Sequence, residues 1–155
     1  MCTCATPVGC GNLNKSIIME ISEFEIKEDI VTICVKAASF PAGIKDAYDK
    51  LHRLVGSDKP RQLYGISKMS AGNIVYYAGV NKMSGDDTFG LDEYIIPKGK
   101  YLATLFKWEG NEHEFGRIFN ELMQQPGVKP GTIGVEQYYV TPDEARLMVQ
   151  LAGTL

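Results

Sequence analysis

The apolar residues of this chain follow an order that occurs twice: two strands, one helix and two more strands. A turn at Gly72-Asn73 is predicted between the third and fourth strands. A shift of about seventy residues lays the first set of elements on the second, as expected for an internal repeat over about 18–81 and 91–152. Apolar alternation predicts strands over 18–26, 30–37, 62–69, 74–81, 91–96, 100–108, 133–140 and 145–151.

Two amphipathic helices are predicted at corresponding places in the two copies. Pro41 suits a first helical position, and Gly56 suits a position just past a helix end. In the second copy, Asn111 and Glu114 match a capping box, and Gly127 follows the last apolar turn. Helical spacing predicts an apolar face on the first helix made of Ile44, Ala47, Tyr48, Leu51 and Leu54.

One helix per copy can cover one face of a sheet, so the pattern predicts an α+β fold. We expect a duplicated ββαββ module, with two antiparallel sheet units, two helices and a ligand cleft between the halves. The 155 residues correspond to one domain, predicted over 17–155. A domain of this size buries about two thirds of its unfolded surface, so folding requires neither a metal nor a disulfide.

The first residues differ from the rest of the chain. Residues 1–16 are rich in Cys, Thr, Gly and Asn without periodicity, which predicts a disordered leader. Cys2, Cys4 and Cys10 lie in it, and a thiolate cluster of this kind could hold a soft metal or form a disulfide. Their spacing matches no zinc module, so we favour a reduced tail and assign no metal. Cys34, inside an apolar strand, is predicted to be a core residue.

Charge and motifs exclude several classes of function. The net charge is -3 and no Lys/Arg stripe is present, so direct binding to nucleic acid is not expected. No apolar run is long enough to span a membrane and the N-terminus lacks a secretion pattern, which predicts a cytoplasmic protein. Nucleophile elbow, P-loop, Rossmann and metalloprotease motifs are absent, so no cofactor is assigned. The two histidines, His52 and His113, fall on the polar sides of the predicted helices.

Glu136 is the residue that calls for a special explanation, because it interrupts the strand-like run 133–140. A buried carboxylate is costly unless it is paired, so it must face solvent from an edge strand, have an internal partner, or await a cationic or protonatable ligand. The repeat pairs Glu136 with Gly65, which leaves space beside the charge.

Aromatic residues accompany Glu136 in the predicted sheet. Ring faces attract cations, so rings around one carboxylate would form a receptor for a flat, apolar cation. The same rings could instead simply fill the core. Tyr138 shares a strand face with Glu136. Neighbouring elements contribute the other candidate ligand-binding residues, Tyr64, Tyr77, Tyr101 and Trp108.

Three segments of the chain form an ordered set of motifs: Tyr-Tyr-Ala-Gly-Val at 76–80, Ile-Ile-Pro-Lys-Gly-Lys-Tyr at 95–101 and Gly-Val-Glu-Gln-Tyr at 134–138. In this order they resemble the GyrI-like family, which includes the effector-binding domains of bacterial MerR- and AraC-type transcription activators. The family pattern is a "Y-x-A-G-V" strand, then "I-P-x-G-x-Y", a helix and "E-x-Y". The resemblance covers about 18–152 and implies a duplicated α+β module with a ligand cleft.

The resemblance also implies roles for individual residues. Glu136 matches the glutamate at the bottom of the family's pocket, which contacts cationic or polar aromatic ligands. Tyr101 and Tyr138 match the two motif tyrosines, whereas Tyr77 and Trp108 fall where pocket aromatics vary among members. No helix-turn-helix is predicted before the domain, so the chain resembles a stand-alone effector-binding domain.

The expected function is therefore binding of a small molecule by a sensor or sequestering module, including multidrug binding. One alternative, implied by stand-alone family members, is a hydrolase that opens cyclopropane-bearing toxins, with Glu136 activating water and Tyr101 or Tyr138 polarising the substrate. A protein-binding module such as a gyrase inhibitor is a third alternative. The sequence does not decide the ligand, the oligomeric state or whether the protein is an enzyme.

Overall fold

The computed structural model describes residues 19–56 and 59–153. The predicted leader and its three cysteines lie outside these residues. The strands of the described part are β1 (Ser22–Ile26), β2 (Ile30–Lys36), β3 (Leu63–Ser70), β4 (Asn73–Asn81), β5 (Asp92–Ile96), β6 (Gly99–Lys107), β7 (Gly134–Thr141) and β8 (Glu144–Gln150). Its α-helices are α1 (Ile44–Val55) and α2 (Phe115–Met123), and a 3-10 turn, Glu112–Glu114, precedes α2.

The eight strands form one antiparallel sheet in the order β1-β6-β8-β7-β3-β4-β2-β5. The repeat makes β5, β6, β7 and β8 the counterparts of β1, β2, β3 and β4. Exchanging each strand for its counterpart gives the same order read from the other end of the sheet, so the sheet has an approximate twofold symmetry. The predicted α+β duplication is confirmed, and the two sheet units join through β3 and β7 into a continuous sheet. Gly65 and Glu136 are the third residues of these two strands and lie opposite each other, as the repeat predicts.

The two faces of the sheet differ in their covering, and we call them the helix face and the open face. The register places Leu147, Glu136, Gly65 and Ala78 side by side on the helix face. Both α1 and α2 pack on this face, α1 against β2 and β4 and α2 against β8. The open face carries a separate apolar cluster that includes no helical residue.

The sheet curls toward its open face into a half-barrel. Ile26 of β1 and Ile96 of β5 belong to strands at opposite edges, yet both pack in the cluster of the open face. The backbone N–H of Lys98 also donates to the side chain of Asp29, at 2.8 Å, which joins the β5–β6 turn to the β1–β2 turn. Curling thus lets the sheet bury apolar residues on a face that no helix covers.

The helix starts differ from their predictions. Helix α1 begins at Ile44, not at Pro41, because Gly43 N–H donates to the Ser39 carbonyl and closes a turn before the first helical bond. Asn111 makes no side-chain cap to α2, so the predicted capping box is wrong. The 3-10 turn intervenes there, and the Asn111 side chain donates instead to the Lys107 carbonyl.

The apolar faces of the helices explain their positions. Ala47, Leu51 and Val55 of α1 are buried, whereas Leu54 is exposed because a 3.6-residue period returns to Val55 after Leu51. Full burial of side chains such as Leu51 stabilises the fold by about 1.5–3 kcal/mol each. Gly56 ends α1 with a φ of 80°, as predicted for a residue past a helix end. No helix of the described residues is long and apolar enough to cross a membrane.

The turn between β3 and β4 lies one residue earlier than predicted. Ser70 pairs with Asn73, so the turn residues are Ala71 and Gly72, not Gly72 and Asn73. Both have positive φ, 52° and 83°, as a two-residue hairpin turn of this hand requires. The prediction that Cys34 is a core residue is confirmed, since Cys34 is buried.

One buried ion pair anchors the loop that joins the two copies. Arg61 donates to both oxygens of Asp86, at 2.7 and 3.0 Å, and the side chains are 5% and 3% exposed. The Met83 backbone N–H and Lys59 also donate to Asp86. Hydrogen bonds from Arg61, then from Met83, hold the pKa of Asp86 well below its usual range.

The Asp86 pair predicts a loss of stability in acid. A carboxyl whose pKa is lowered by folding stabilises the protein above its unfolded pKa of about 4, and this stability is lost as the pH falls below that value. Urea unfolding of wild type and Asp86→Asn should therefore show a stability difference near neutral pH that shrinks in acid. A difference that stays constant with pH would show that the charge of Asp86 does not stabilise the fold.

Candidate functional site

Glu136 is buried in the middle of the sheet. It lies on the helix face of β7, between Gly65 of β3 and Leu147 of β8, and its residue is 3% exposed. The alternative that Glu136 faces solvent from an edge strand is therefore wrong. Among the described residues Glu136 forms no ion pair. The carboxyl is thus held by neutral groups alone.

Those neutral groups are tyrosine hydroxyls. One carboxyl oxygen, Oε1, accepts hydrogen bonds from Tyr76, at 2.8 Å, and from Tyr138, at 2.6 Å. The hydroxyl of Tyr48 lies 2.9 Å from that of Tyr76 and 2.9 Å from the carbonyl oxygen of Tyr64. Tyr48 comes from α1, Tyr76 from β4 and Tyr138 from β7, so the network joins the helix to the sheet.

Gly65 makes the contact between Tyr76 and Glu136 sterically feasible. Strand β3 lies between β4 and β7, so the Tyr76 hydroxyl must cross over β3 to reach the carboxyl. A Cβ on Gly65 would overlap the Tyr76 hydroxyl and would come within 2.5 Å of Glu136 Oε1. The glycine predicted to leave space beside the charge therefore provides the path for this hydrogen bond.

A β-bulge precedes the end of β7. The register between β7 and β8 shifts between Gln137 and Thr141, and Tyr139 inside the shift has a φ of 60°, which is rare for an aromatic residue. Tyr139 is 54% exposed, whereas the neighbouring Tyr138 is buried. Tyr138 thus reaches Glu136, whereas the adjacent Tyr139 is largely exposed, and both rings contact Trp108.

Aromatic rings from both helices surround the carboxyl network. Tyr138 makes edge-on contacts with Tyr48, at 6.1 Å between centroids, and with Trp108, at 5.1 Å. Phe115 of α2 lies 6.4 Å from Tyr138. The indole N–H of Trp108 is buried and has no hydrogen-bond acceptor among the described residues. The site is therefore apolar and aromatic around a single carboxyl.

Burial decides the protonation of the network. Loss of water raises the pKa of Glu136 above the usual glutamate value, and the hydrogen bonds from Tyr138 and Tyr76 oppose this only in part. Burial, together with the charge of Glu136, also raises the pKa of Tyr48, Tyr76 and Tyr138. The hydroxyls remain donors, and the carboxyl is less acidic than an exposed glutamate.

The structure brings together some of the predicted site residues and separates others. On the helix face, Tyr138 donates to Glu136 and Trp108 packs on Tyr138. Tyr64, Tyr77 and Tyr101 lie on the open face, where Tyr77 packs on Tyr94 and the Tyr101 hydroxyl donates to the Pro97 carbonyl. The reason is strand alternation, since Tyr64 and Tyr77 are each one residue away from a helix-face position.

Sequence reasoning missed two residues of the network, Tyr48 and Tyr76. Tyr48 was predicted only as part of an apolar helix face, and the sequence does not show which strand its hydroxyl reaches. The sheet face on which Tyr76 lies could have been predicted from the strand that contains the motif at 76–80. Given Gly65 opposite Glu136 and the tight turn before β4, Tyr76 and not Tyr77 falls on the face of the carboxyl.

The open face carries a shallow hollow of about 260 Å³, and the residues that line it include Ile26, Ile30 and Met148. Phe24 and Gln137 also line it, and Arg146 stacks 4.0 Å above the Phe24 ring and donates to Gln137. This hollow is separated from Glu136 by the sheet itself, because Glu136 and Gln137 point to opposite faces of β7. The two surfaces are therefore distinct.

Comparison with known proteins establishes the fold. No protein-family model matches the sequence, and no curated protein matches it at a significant level. An integron cassette protein from the mobile metagenome of Vibrio cholerae superposes with a TM-score of 0.60 at 14% identity, covering 84% of this chain and 95% of that one.

Two further structures share the architecture. The protein SAV2435, solved with tetraphenylphosphonium bound, has a TM-score of 0.61 at 10% identity, covering 87% of this chain and 95% of its own. A protein from Staphylococcus aureus MU50, described as a bacterial transcription regulation protein, has a TM-score of 0.56 at 11% identity, covering 88% and 99%. At these identities the likeness shows the fold alone, which is consistent with the GyrI-like fold expected from the motifs.

Gly65 provides a test of the site's packing. Replacement by Ala should lower the free energy of unfolding by about 1–3 kcal/mol, because the new Cβ displaces the Tyr76 hydroxyl from Glu136. Urea denaturation would measure the loss.

The matched control for this substitution is Gly116 in α2. Gly116 is exposed and a Cβ there meets no atom within 4 Å, so Gly116→Ala should raise stability by about 0.5–1 kcal/mol. Equal effects at the two glycines would contradict a close approach at Gly65.

Proposed function

We propose that the protein binds a cationic or polar aromatic small molecule at Glu136 and acts as a sensor or sequestering module. The observation that carries this proposal is a buried carboxyl that is held by two tyrosine hydroxyls, surrounded by rings and paired with no cation among the described residues. Such a carboxyl is under-compensated in the free protein, and a bound cation would supply the missing charge.

The surrounding rings support a cation as the ligand. Ring faces of Tyr and Trp attract positive charge, and the attraction is stronger at sites from which water is excluded. The apolar walls would at the same time bury the hydrocarbon part of the ligand. The hydroxyls of Tyr76 and Tyr138 would stay on Oε1 and keep the carboxylate oriented.

Binding requires a local opening, because Glu136 is almost completely covered in the described structure. The energy for this opening would come from the new ion pair and from burial of the ligand's rings. SAV2435, which shares the fold, was solved with tetraphenylphosphonium, so this aromatic cation is a suitable first probe.

The prediction is that Glu136→Gln weakens tetraphenylphosphonium binding by about 30-fold or more, the effect expected from removing one partner of a buried charge contact. Glutamine keeps the size of the side chain and an oxygen acceptor, so the change isolates the charge. Isothermal titration calorimetry would measure affinity, and quenching of Trp108, which touches Tyr138, would report the location.

The matched control is Glu121→Gln, because Glu121 is exposed on α2 and shares its net charge change with the test variant. It should bind like wild type. Equal affinity of wild type and Glu136→Gln across a panel of aromatic cations would contradict the proposal.

Hydrolysis is the second candidate function, favoured by the 2.6 Å hydrogen bond between Tyr138 and Glu136. A carboxyl with a raised pKa suits general-base catalysis near neutral pH, and a phenol can polarise a substrate. In this case Glu136 would activate water and Tyr138 would bind the electrophile. Catalytic turnover of a cyclopropane-bearing electrophile, lost in Glu136→Gln, would favour this function over stoichiometric binding.

A further inference from the structure

Gly134 lies beside Glu136 on the helix face and is covered by one aromatic ring. It stands two residues before Glu136 in β7, so the two positions are about 7 Å apart on the same face. A Cβ at Gly134 would come within 3.0 Å of Cε1 and 3.1 Å of Cδ1 of Phe119 in α2. The Phe119 ring therefore rests on bare backbone, in a place that any larger residue at 134 would fill.

We propose that Phe119 occupies the seat of the ligand's aromatic ring, and that the ligand displaces it from Gly134 when its cation pairs with Glu136. This inference rests on the proposed function at Glu136 and adds the residue that selects for a flat ring. The seat is the flat backbone surface at Gly134, about 7 Å along β7 from Glu136. An aromatic cation of the right length thus contacts both at once.

Phe119 can move without breaking a hydrogen bond, unlike the three tyrosines of the network. The rings of Tyr48, Tyr76 and Tyr138 carry hydroxyls bound in the network, so moving any of them breaks hydrogen bonds in a buried place. Phe119 has no polar atom and is half-buried, with one side toward solvent.

Helix α2 itself stays in place when Phe119 turns. Ile118 and Leu122 of α2 are buried, 1% and 0% exposed, and pack on β8. They lie next to Phe119 on the apolar face and hold the helix on the sheet, so a rotation of the Phe119 side chain uncovers Gly134 without unfolding the helix. A ring of the ligand thus replaces the Phe119 ring at Gly134 while the backbone stays fixed.

The test is the affinity of tetraphenylphosphonium for Phe119→Ala. A side chain that only lines the site would weaken binding when it is removed. If the ligand must displace the Phe119 ring, Phe119→Ala should bind tetraphenylphosphonium more tightly, by about fivefold or more. The reason is that the ligand no longer displaces half-buried apolar surface. Phe119→Leu, which is smaller and retains an apolar side chain, should give an intermediate gain.

Two further variants locate the effect. Adding Gly134→Ala to Phe119→Ala puts a methyl group on the seat and should abolish the gain. Met123→Ala, at an exposed position one helical turn beyond Phe119, should leave affinity unchanged. Tetraethylammonium, which has the charge but no ring, should show no gain with Phe119→Ala.

The outcomes separate this inference from the proposal on which it rests. Weaker or unchanged binding in both Phe119 variants, with binding still dependent on Glu136, would overturn the ring seat and leave the Glu136 proposal standing. An equal gain for tetraethylammonium would also overturn it. If Glu136→Gln left the affinity unchanged both in the wild-type background and in the Phe119→Ala background, the proposed function would be overturned instead.

Discussion

The pair of hydrogen bonds on Glu136 Oε1 connects parts of the fold that are far apart in sequence. Tyr76 belongs to the first ββαββ unit and Glu136 to the second, and their contact crosses β3 at Gly65. Tyr48 extends the same network to α1. Packing of the first helix, the junction of the two units and the charge state of the carboxyl therefore depend on one buried network.

The two copies of the module carry different residues at the position where they meet, which makes this site asymmetric. The two units meet at β3 and β7, where the third residue is Gly65 in one strand and Glu136 in the other. A glutamate at both positions would place two carboxyls against each other, and like charges this close cannot both be ionised. One carboxyl and one bare backbone position instead give a single charge with room for a hydroxyl beside it.

Much of the fold could be predicted from periodicity, because strands and helices bury apolar residues at characteristic spacings. Glu136 also emerged from the sequence because it interrupts an apolar strand, and Gly65 because the repeat pairs it with Glu136. Of the two tyrosines that donate to Glu136, Tyr138 was predicted on its strand face, whereas Tyr76 was not, because Tyr76 and Tyr77 differ by one residue and alternate strand faces decide which of them reaches the carboxyl. The side-chain interactions of Asn111 and Tyr48 depend on tertiary contacts that no local pattern shows.

The charge on Glu136 also sets a linkage between pH and folding. Since burial raises the pKa of this carboxyl, its protonated form stabilises the fold at low pH, and this stability is lost as the pH rises through the folded pKa. A bound cation reverses the balance by favouring the ionised form. Binding of a cation to the protonated protein should therefore release a proton.

The most direct measurement is a carbon-13 NMR titration of the Glu136 side-chain carboxyl, with and without saturating tetraphenylphosphonium, assigned with Glu136→Gln. In the free protein the carboxyl should titrate above the usual glutamate pKa of about 4.3, and the cation should lower that midpoint. A carboxyl that titrates like an exposed glutamate, or a midpoint that the bound cation does not change, would contradict the account.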